Sequence, residues 1–156
     1  MANLFPEAMN DSWADEQTLM AETDTIVSDE VPFGRSWRFD FDAGEFVMTP
    51  TRKIARADET TAWIVWCEKA IRTPRYRHLI YSRAYGQEFD DLIGKGYGRA
   101  LQESEIRRIA AETLLADPRT ASVDSFTFAW QEDGCRFTCR VANVREEEVI
   151  LEGSVT

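Results

Sequence analysis

Two alternating stretches on either side of Asp133-Gly134 constrain this chain more than any other feature. Before the dipeptide, Phe126, Phe128 and Trp130 fall on every second position; after it, Phe137, Cys139 and Val141 do the same. A period of two is the mark of a strand with one face buried. Asp-Gly between two such runs favours a tight two-residue hairpin turn, because a type I′ turn needs positive φ at both central positions. Pairing across that turn sets Trp130 opposite Phe137, Phe128 opposite Cys139, and Phe126 opposite Val141. Every apolar side chain then lands on one face, whereas a one-residue slip would scatter them. Residues 148–152 read as a third strand after a loop at 143–147, which makes a three-stranded meander with an apolar face to cover.

The cover comes from helices upstream. Trp63, Trp66, Cys67, Ala70 and Ile71 have the i, i+3, i+4, i+7, i+8 spacing of one helix face. Asp58 is placed to cap that helix, and Thr73-Pro74 ends it, since the residue before proline disfavours helical geometry. Residues 99–115 form a second long helix with Ile106, Ile109, Ala110, Thr113 and Leu114 inward, stopped by Asp117-Pro118. Between the two lie an irregular basic stretch at 75–86 with tyrosine and leucine anchors, and a short helix at 87–93 with Phe89, Leu92 and Ile93 inward. Further upstream, Trp37, Phe39 and Phe41 alternate with Ser36, Arg38, Asp40 and Asp42. Ala43-Gly44 turns that strand into a second at 45–49, an N-terminal hairpin. The fold class is α+β: a small mixed or antiparallel sheet, built from the N-terminal hairpin and the C-terminal meander, with two longer helices and one short helix packed on one face.

Charge divides the chain further. Of 156 residues, 28 are acidic and 18 basic, for a net charge of −10. Residues 1–34 hold eight of the acids and no Lys or Arg, so the remaining 122 residues carry only −2. Residues 1–32 read as an acidic, flexible arm with one possible short helix around 12–20, and 33–156 as a single domain. So acidic a chain lacks the basic footprint that nucleic acid requires. No apolar run approaches the roughly 18 residues of a membrane span. The first ten residues have neither the basic nor the apolar region of a secretory signal. Three scattered cysteines do not make a disulfide framework, so free thiols are expected.

Sites of chemistry are hard to build from these residues, and none is assigned as catalytic, cofactor-binding or metal-binding. Cys135 and Cys139 lie four apart on a strand, about 13 Å at roughly 3.3 Å per residue, too far for one tetrahedral zinc. They read as core cysteines. Gly94-Lys95-Gly96-Tyr97-Gly98 lacks the preceding strand and the Lys-Ser/Thr of a phosphate loop, and reads as a connector. His78, the sole histidine, has no nucleophile partner and sits among arginines. Paired carboxylates of a glycosidase remain open, although no Glu has an obviously apolar setting that would raise its pKa. The cluster of Arg72, Arg75, Arg77 and Arg83, with Arg99 beyond and three tyrosines, is either a solvated loop or a protein-binding patch; Arg and Tyr are enriched at interface hot spots.

Taken in order, several weak motifs are familiar. Phe33-Gly34-Arg35-Ser36-Trp37-Arg38-Phe39-Asp40 precedes a helix, then Ile71-Arg72-Thr73-Pro74-Arg75-Tyr76, Tyr85-Gly86-Gln87-Glu88-Phe89, and a helix ending in Ala116-Asp117-Pro118-Arg119. Over about residues 33–152 this resembles the tail-sheath initiator family of contractile phage baseplates, most closely the XkdS-type proteins of PBSX-like prophages. Asp117-Pro118-Arg119 stands where a related family carries Glu-Pro-Arg, and the Thr73 and Tyr85-Gly86 stretch resembles family positions before the short helix. The resemblance implies a non-enzymatic baseplate component that joins the wedge to the first sheath ring. Its partners would be the tail sheath protein and wedge proteins, with tube or hub proteins as further neighbours, and neither nucleic acid nor membrane. It would stand in several copies in a ring, in a virion or phage-tail-like particle assembled in the bacterial cytoplasm. Neighbouring chains would add strands to its sheet edges. Asp117, Pro118, Arg119, Arg75, Arg83 and Tyr85 become candidate protein-binding residues. Two readings of the corner stay open: a local helix-ending turn, or an Arg119 fork reaching a carboxylate or carbonyls of the wedge. On the second, Arg119→Ala spares folding and blocks assembly. A peptidoglycan-cleaving muramidase is the rival reading, an activity with which some family members have been labelled.

Overall fold

The computed structural model describes residues 30–156. The acidic arm, apart from its last residues, and the short helix around 12–20 lie outside the described residues. The chain runs through strands β1 (Arg35–Trp37), β2 (Phe39–Asp40), β3 (Glu45–Phe46) and β4 (Arg56–Asp58), helix α1 (Glu59–Arg72), a 3-10 helix (Phe89–Leu92), helix α2 (Arg99–Leu115), and strands β5 (Thr120–Trp130), β6 (Cys135–Asn143) and β7 (Glu148–Val155). This is an α+β fold whose strands are antiparallel. They fall into three ladders rather than one sheet, β1 with β4, β2 with β3, and the meander β5-β6-β7.

Both long helices form where the apolar spacing puts them. In α1, Ala62, Trp63, Cys67, Ala70 and Ile71 are buried; in α2, Ile106, Ile109, Ala110, Thr113 and Leu114 are. Asp58 occupies the N-cap position of α1, but its side chain makes no capping hydrogen bond. β6 shows the cleanest alternation, with Cys135, Phe137, Cys139, Val141 and Asn143 buried and the residues between them more open. These side chains meet Trp63, Cys67, Phe89, Ile106 and Leu114 in one core that also holds Phe33 and Leu151. The opposite face of the meander is ionic: Arg140 contacts Asp124 of β5 at 2.8 Å and Glu148 of β7 at 3.8 Å.

The hairpin register differs from the expected one by two residues. Trp130 pairs with Cys135, Phe128 with Phe137, and Val123 with Val141. The connection is a wider loop at 131–134, closed by the Gln131 N–H donating to the Gly134 carbonyl at 2.8 Å. Gly134 does not take the positive φ that a type I′ turn needs. Its small size serves packing instead: a Cβ there would lie 2.4 Å from the Val155 carbonyl oxygen. Since the shift is even, each side chain keeps its face. A bulge between Asp124 and Thr127, with Ser125 at φ 53, then restores the inward phase for Val123.

Upstream, the expected hairpin exists but pairs more intricately. Arg38 is the switch: its N–H donates to the Ala55 carbonyl at 2.9 Å, while its own carbonyl accepts from Val47 at 3.0 Å. β1 therefore belongs to β4, a strand absent from the sequence reading, and β2 to β3. Trp37 is 49% exposed and Phe39 and Phe41 are only half-buried, so this alternating face is not core. The buried side of these short ladders is carried by Ala57. Ile93, expected inward, is 54% exposed because the 3-10 helix ends one residue earlier and buries Phe89 and Leu92. β7 runs to Val155 rather than stopping at 152.

Candidate protein-docking site

The corner after α2 is built around a buried carboxylate. Pro118 cannot continue the helix, so the chain turns, and the Arg119 backbone N–H donates to Asp117 Oδ1 at 2.9 Å. The Arg119 side chain folds back on the same residue: Nε donates to Oδ1 at 2.9 Å and Nη2 to Oδ2 at 2.5 Å. Nη1 donates to the Phe33 carbonyl at 2.6 Å. The Asp117 and Arg119 side chains are 5% and 14% exposed, so the fork is spent inside the domain rather than presented to solvent. It pins the segment entering β1 to the start of β5. The Phe33 ring is 3% exposed, with the Arg145 guanidinium 4.2 Å from its centroid, and Arg145 in turn pairs with Glu59. The Trp63 indole donates to the Thr120 hydroxyl at 3.0 Å just beyond the corner.

Arg75 is likewise turned inward. Its side chain is 8% exposed, and Nη1 contacts Glu88 at 3.0 Å and Glu112 of α2 at 2.8 Å. Nε donates to the Gly86 carbonyl at 3.0 Å, which also accepts from the Thr113 hydroxyl at 3.2 Å. Burial pulls the Arg75 pKa down, yet hydrogen bonding and charge from Glu112 and Glu88 outweigh it and leave a net rise. The same hydrogen bond holds the Glu112 carboxyl below its ordinary value. Around this ion pair, residues 73–75 run beside 86–87: Arg75 N–H donates to the Gln87 carbonyl at 2.7 Å and Gln87 N–H to the Thr73 carbonyl at 2.9 Å. Gly86 sits at φ +96, and a Cβ there would meet the Thr73 oxygen at 2.5 Å. Only glycine closes this loop base.

The loop so closed, residues 76–85, projects from α1 on an aromatic stack. Tyr85 meets Trp66 edge-on at 5.6 Å, Tyr81 lies 4.6 Å from Tyr85, and His78 is 6.0 Å from Tyr81. Burial pushes the Tyr85 hydroxyl up to about 12, so it is neutral at physiological pH. Arg83 is exposed and makes no ion pair among the described residues. Leu79, expected as an anchor, is fully exposed instead. Tyr85 and Arg119 line a common groove of about 310 Å³ with Lys69, Trp66 and Tyr81. Thus two of the six candidates share one concavity, Arg75 braces the loop above it, and Arg83 stands outside.

One group escaped the sequence reading. Burial raises the Glu68 carboxyl above its ordinary value, with Asp42 and Asp40 adding to the rise and Arg72 opposing it. Glu68, Asp40, Asp42, Phe39 and Phe41 line a groove of about 350 Å³. The signal was the spacing of Glu68 one position after Cys67 on the α1 stripe, but the approach of the 40–42 turn is a tertiary event. The three cysteines are free and buried, and burial pushes Cys67 to about 12 and Cys139 to about 11. Among the described residues, no group of His, Cys, Asp or Glu is placed to hold a metal ion, and no helix is long and apolar enough to cross a membrane.

At the corner and at the loop base, the charged groups knit segments of the domain together. The chain belongs to the contractile injection system sheath initiator family, whose model matches residues 35–146. That membership points to a structural role in sheath assembly of a phage-tail-like particle. Among curated proteins, none matches the chain.

Proposed function

We propose that this protein connects the baseplate wedge to the first ring of sheath subunits and nucleates the sheath. The family match over residues 35–146 carries this reading. The meander supports it. Its order β5-β6-β7 leaves two outer strands. Two bulges distort β5, whereas β7 pairs in unbroken register from Glu148 to Val155. A regular outer strand is the better template for a strand from a neighbour, through backbone hydrogen bonds and alternate side-chain contacts. Helices on one face of the meander would leave the ionic face for a second neighbour. Partners are the sheath and wedge proteins, with tube or hub proteins beyond, and several copies form a ring. Arg83 and Tyr85 belong to the docking surface. Arg75, Asp117, Pro118 and Arg119 shape it from within. The domain spans 33–156, supported by the clustering of Val31–Thr156 into one compact unit. Gold labelling of a tagged protein in assembled particles tests the proposal. Label confined to the baseplate end of the sheath is expected; label along the sheath, or none, refutes it.

A second reading has one observation in its favour. Glu68 is raised while nearby Asp40 is lowered, by backbone hydrogen bonds from Ala43 and Asp42. Carboxyls pushed apart in this way can serve as acid and base in glycoside hydrolysis. Clearing of cell walls by the purified protein, abolished by Glu68→Gln, would establish this muramidase reading; no clearing by the wild type removes it.

A further inference from the structure

The tip of the 76–85 loop offers adjacent aliphatic side chains to solvent. Leu79 is 102% exposed and Ile80 85%, with Tyr76 beside them at 67%. Isolated surface leucines need no explanation, but a projecting pair at this exposure does. The tip is also built rather than loose. Tyr81 N–H donates to the His78 carbonyl at 3.2 Å and Tyr85 N–H to that of Ser82 at 3.1 Å. The Trp66–Tyr85–Tyr81–His78 stack supports it from α1, and Lys69 Nζ lies 5.0 Å from the Tyr81 ring centroid. A tip fixed beforehand loses little conformational freedom when it docks.

Charge says what it fits. From Lys69 to Gln87 the sequence holds five basic residues, one histidine and no Asp or Glu. Arg75 is neutralised at the loop base. Arg77 reaches Asp90 only at 4.0 Å, with both side chains more than half exposed, and Arg83 has no ion pair among the described residues. The cations nearest the tip are thus available to a partner.

Resting on the assembly role proposed above, we infer that Leu79 and Ile80 plug an apolar pocket rimmed by carboxylates on a neighbouring protein chain of the particle. The apolar pair supplies burial at the centre; Arg77 and Arg83 supply the charged rim. A membrane is the poorer fit. Two aliphatic residues make a weak anchor in a bilayer.

The test is made in cells producing whole particles. Leu79→Ser/Ile80→Ser should unfold at the wild-type temperature, because these side chains are solvent-exposed, yet enter sheathed particles about tenfold less. Met48→Ser, which removes an exposed apolar side chain outside the surfaces assigned to docking, should enter as wild type does. Benzoylphenylalanine in place of Ile80 should cross-link, on illumination of finished particles, to a segment of a neighbour with more Asp and Glu than Lys and Arg. Wild-type incorporation of the double variant, or a cross-link to a neutral or basic segment, overturns the inference alone. Absence of the wild-type protein from sheathed particles overturns both it and the assembly role. Flotation of the wild type with phosphatidylglycerol vesicles, lost in the double variant, would assign the tip to membranes and overturn it as well.

Discussion

Replacing Arg119 with alanine separates an internal brace from an outward-facing contact. The substitution leaves Asp117, 5% exposed, with a buried carboxylate and no guanidinium, and strips the Phe33 carbonyl of its donor. Removing one member of a buried pair costs about 3–5 kcal/mol, because the remaining charge stays desolvated. The Arg119 backbone N–H still reaches Oδ1, so the lower half of that range applies. For a domain of this size each kcal/mol moves Tm by about 3–5 °C, so a fall of about 9–20 °C is expected by circular dichroism. Asp117→Ser/Arg119→Ala, which removes both charges, should recover part of the loss, and raised salt should change neither result much, since buried pairs are poorly screened. If Arg119→Ala melts within about 2 °C of wild type and still fails to assemble, the brace is wrong and Arg119 contacts a partner directly.

Other consequences are equally concrete. Gly86→Ala, with its Cβ 2.5 Å from the Thr73 oxygen at φ +96, should lower the urea midpoint by an amount equivalent to about 2 kcal/mol or more; an unchanged midpoint means the loop base is not closed as described. Cys67 and Cys139 should resist a thiol reagent at pH 7.5 in the native protein, with thiols pushed to about 12 and about 11, and all cysteines should react at once in guanidinium. Glu112 and Glu147 both lie below the ordinary 4.5 in the folded state, Glu112 through Arg75 and Glu147 through Thr60 and Asn143. Their stabilisation is complete above that value and is lost as pH falls through the lower folded values. The urea midpoint should therefore change little from these groups between about pH 7 and 5.5 and fall below about pH 4.

Local signals read well and long-range ones poorly. The α1 and α2 stripes, the proline stops and the parity of β5 and β6 follow from spacing alone, because each depends on residues within one element. The hairpin register did not, because Gly134 answers to Val155, a residue 21 positions on. β4 was invisible for the same reason: it exists through pairing with β1. Among candidate site residues, the sequence located Arg75 and Arg119 but could not show their direction. Glu112, which draws Arg75 inward, lies 37 residues away, and Phe33 lies 86 from Arg119. An arginine with an internal carboxylate and one awaiting a partner look alike in sequence. The Leu79–Ile80 tip has the converse problem, since an aliphatic pair beside tyrosines reads as an anchor until the stack beneath it is seen.

The central claim is that this chain starts the sheath. Electron microscopy of particles from cells lacking it tests that most directly. The account predicts baseplates bearing tubes without sheath, restored to sheathed particles when the chain is supplied again. Sheathed particles of normal length in its absence would contradict the account.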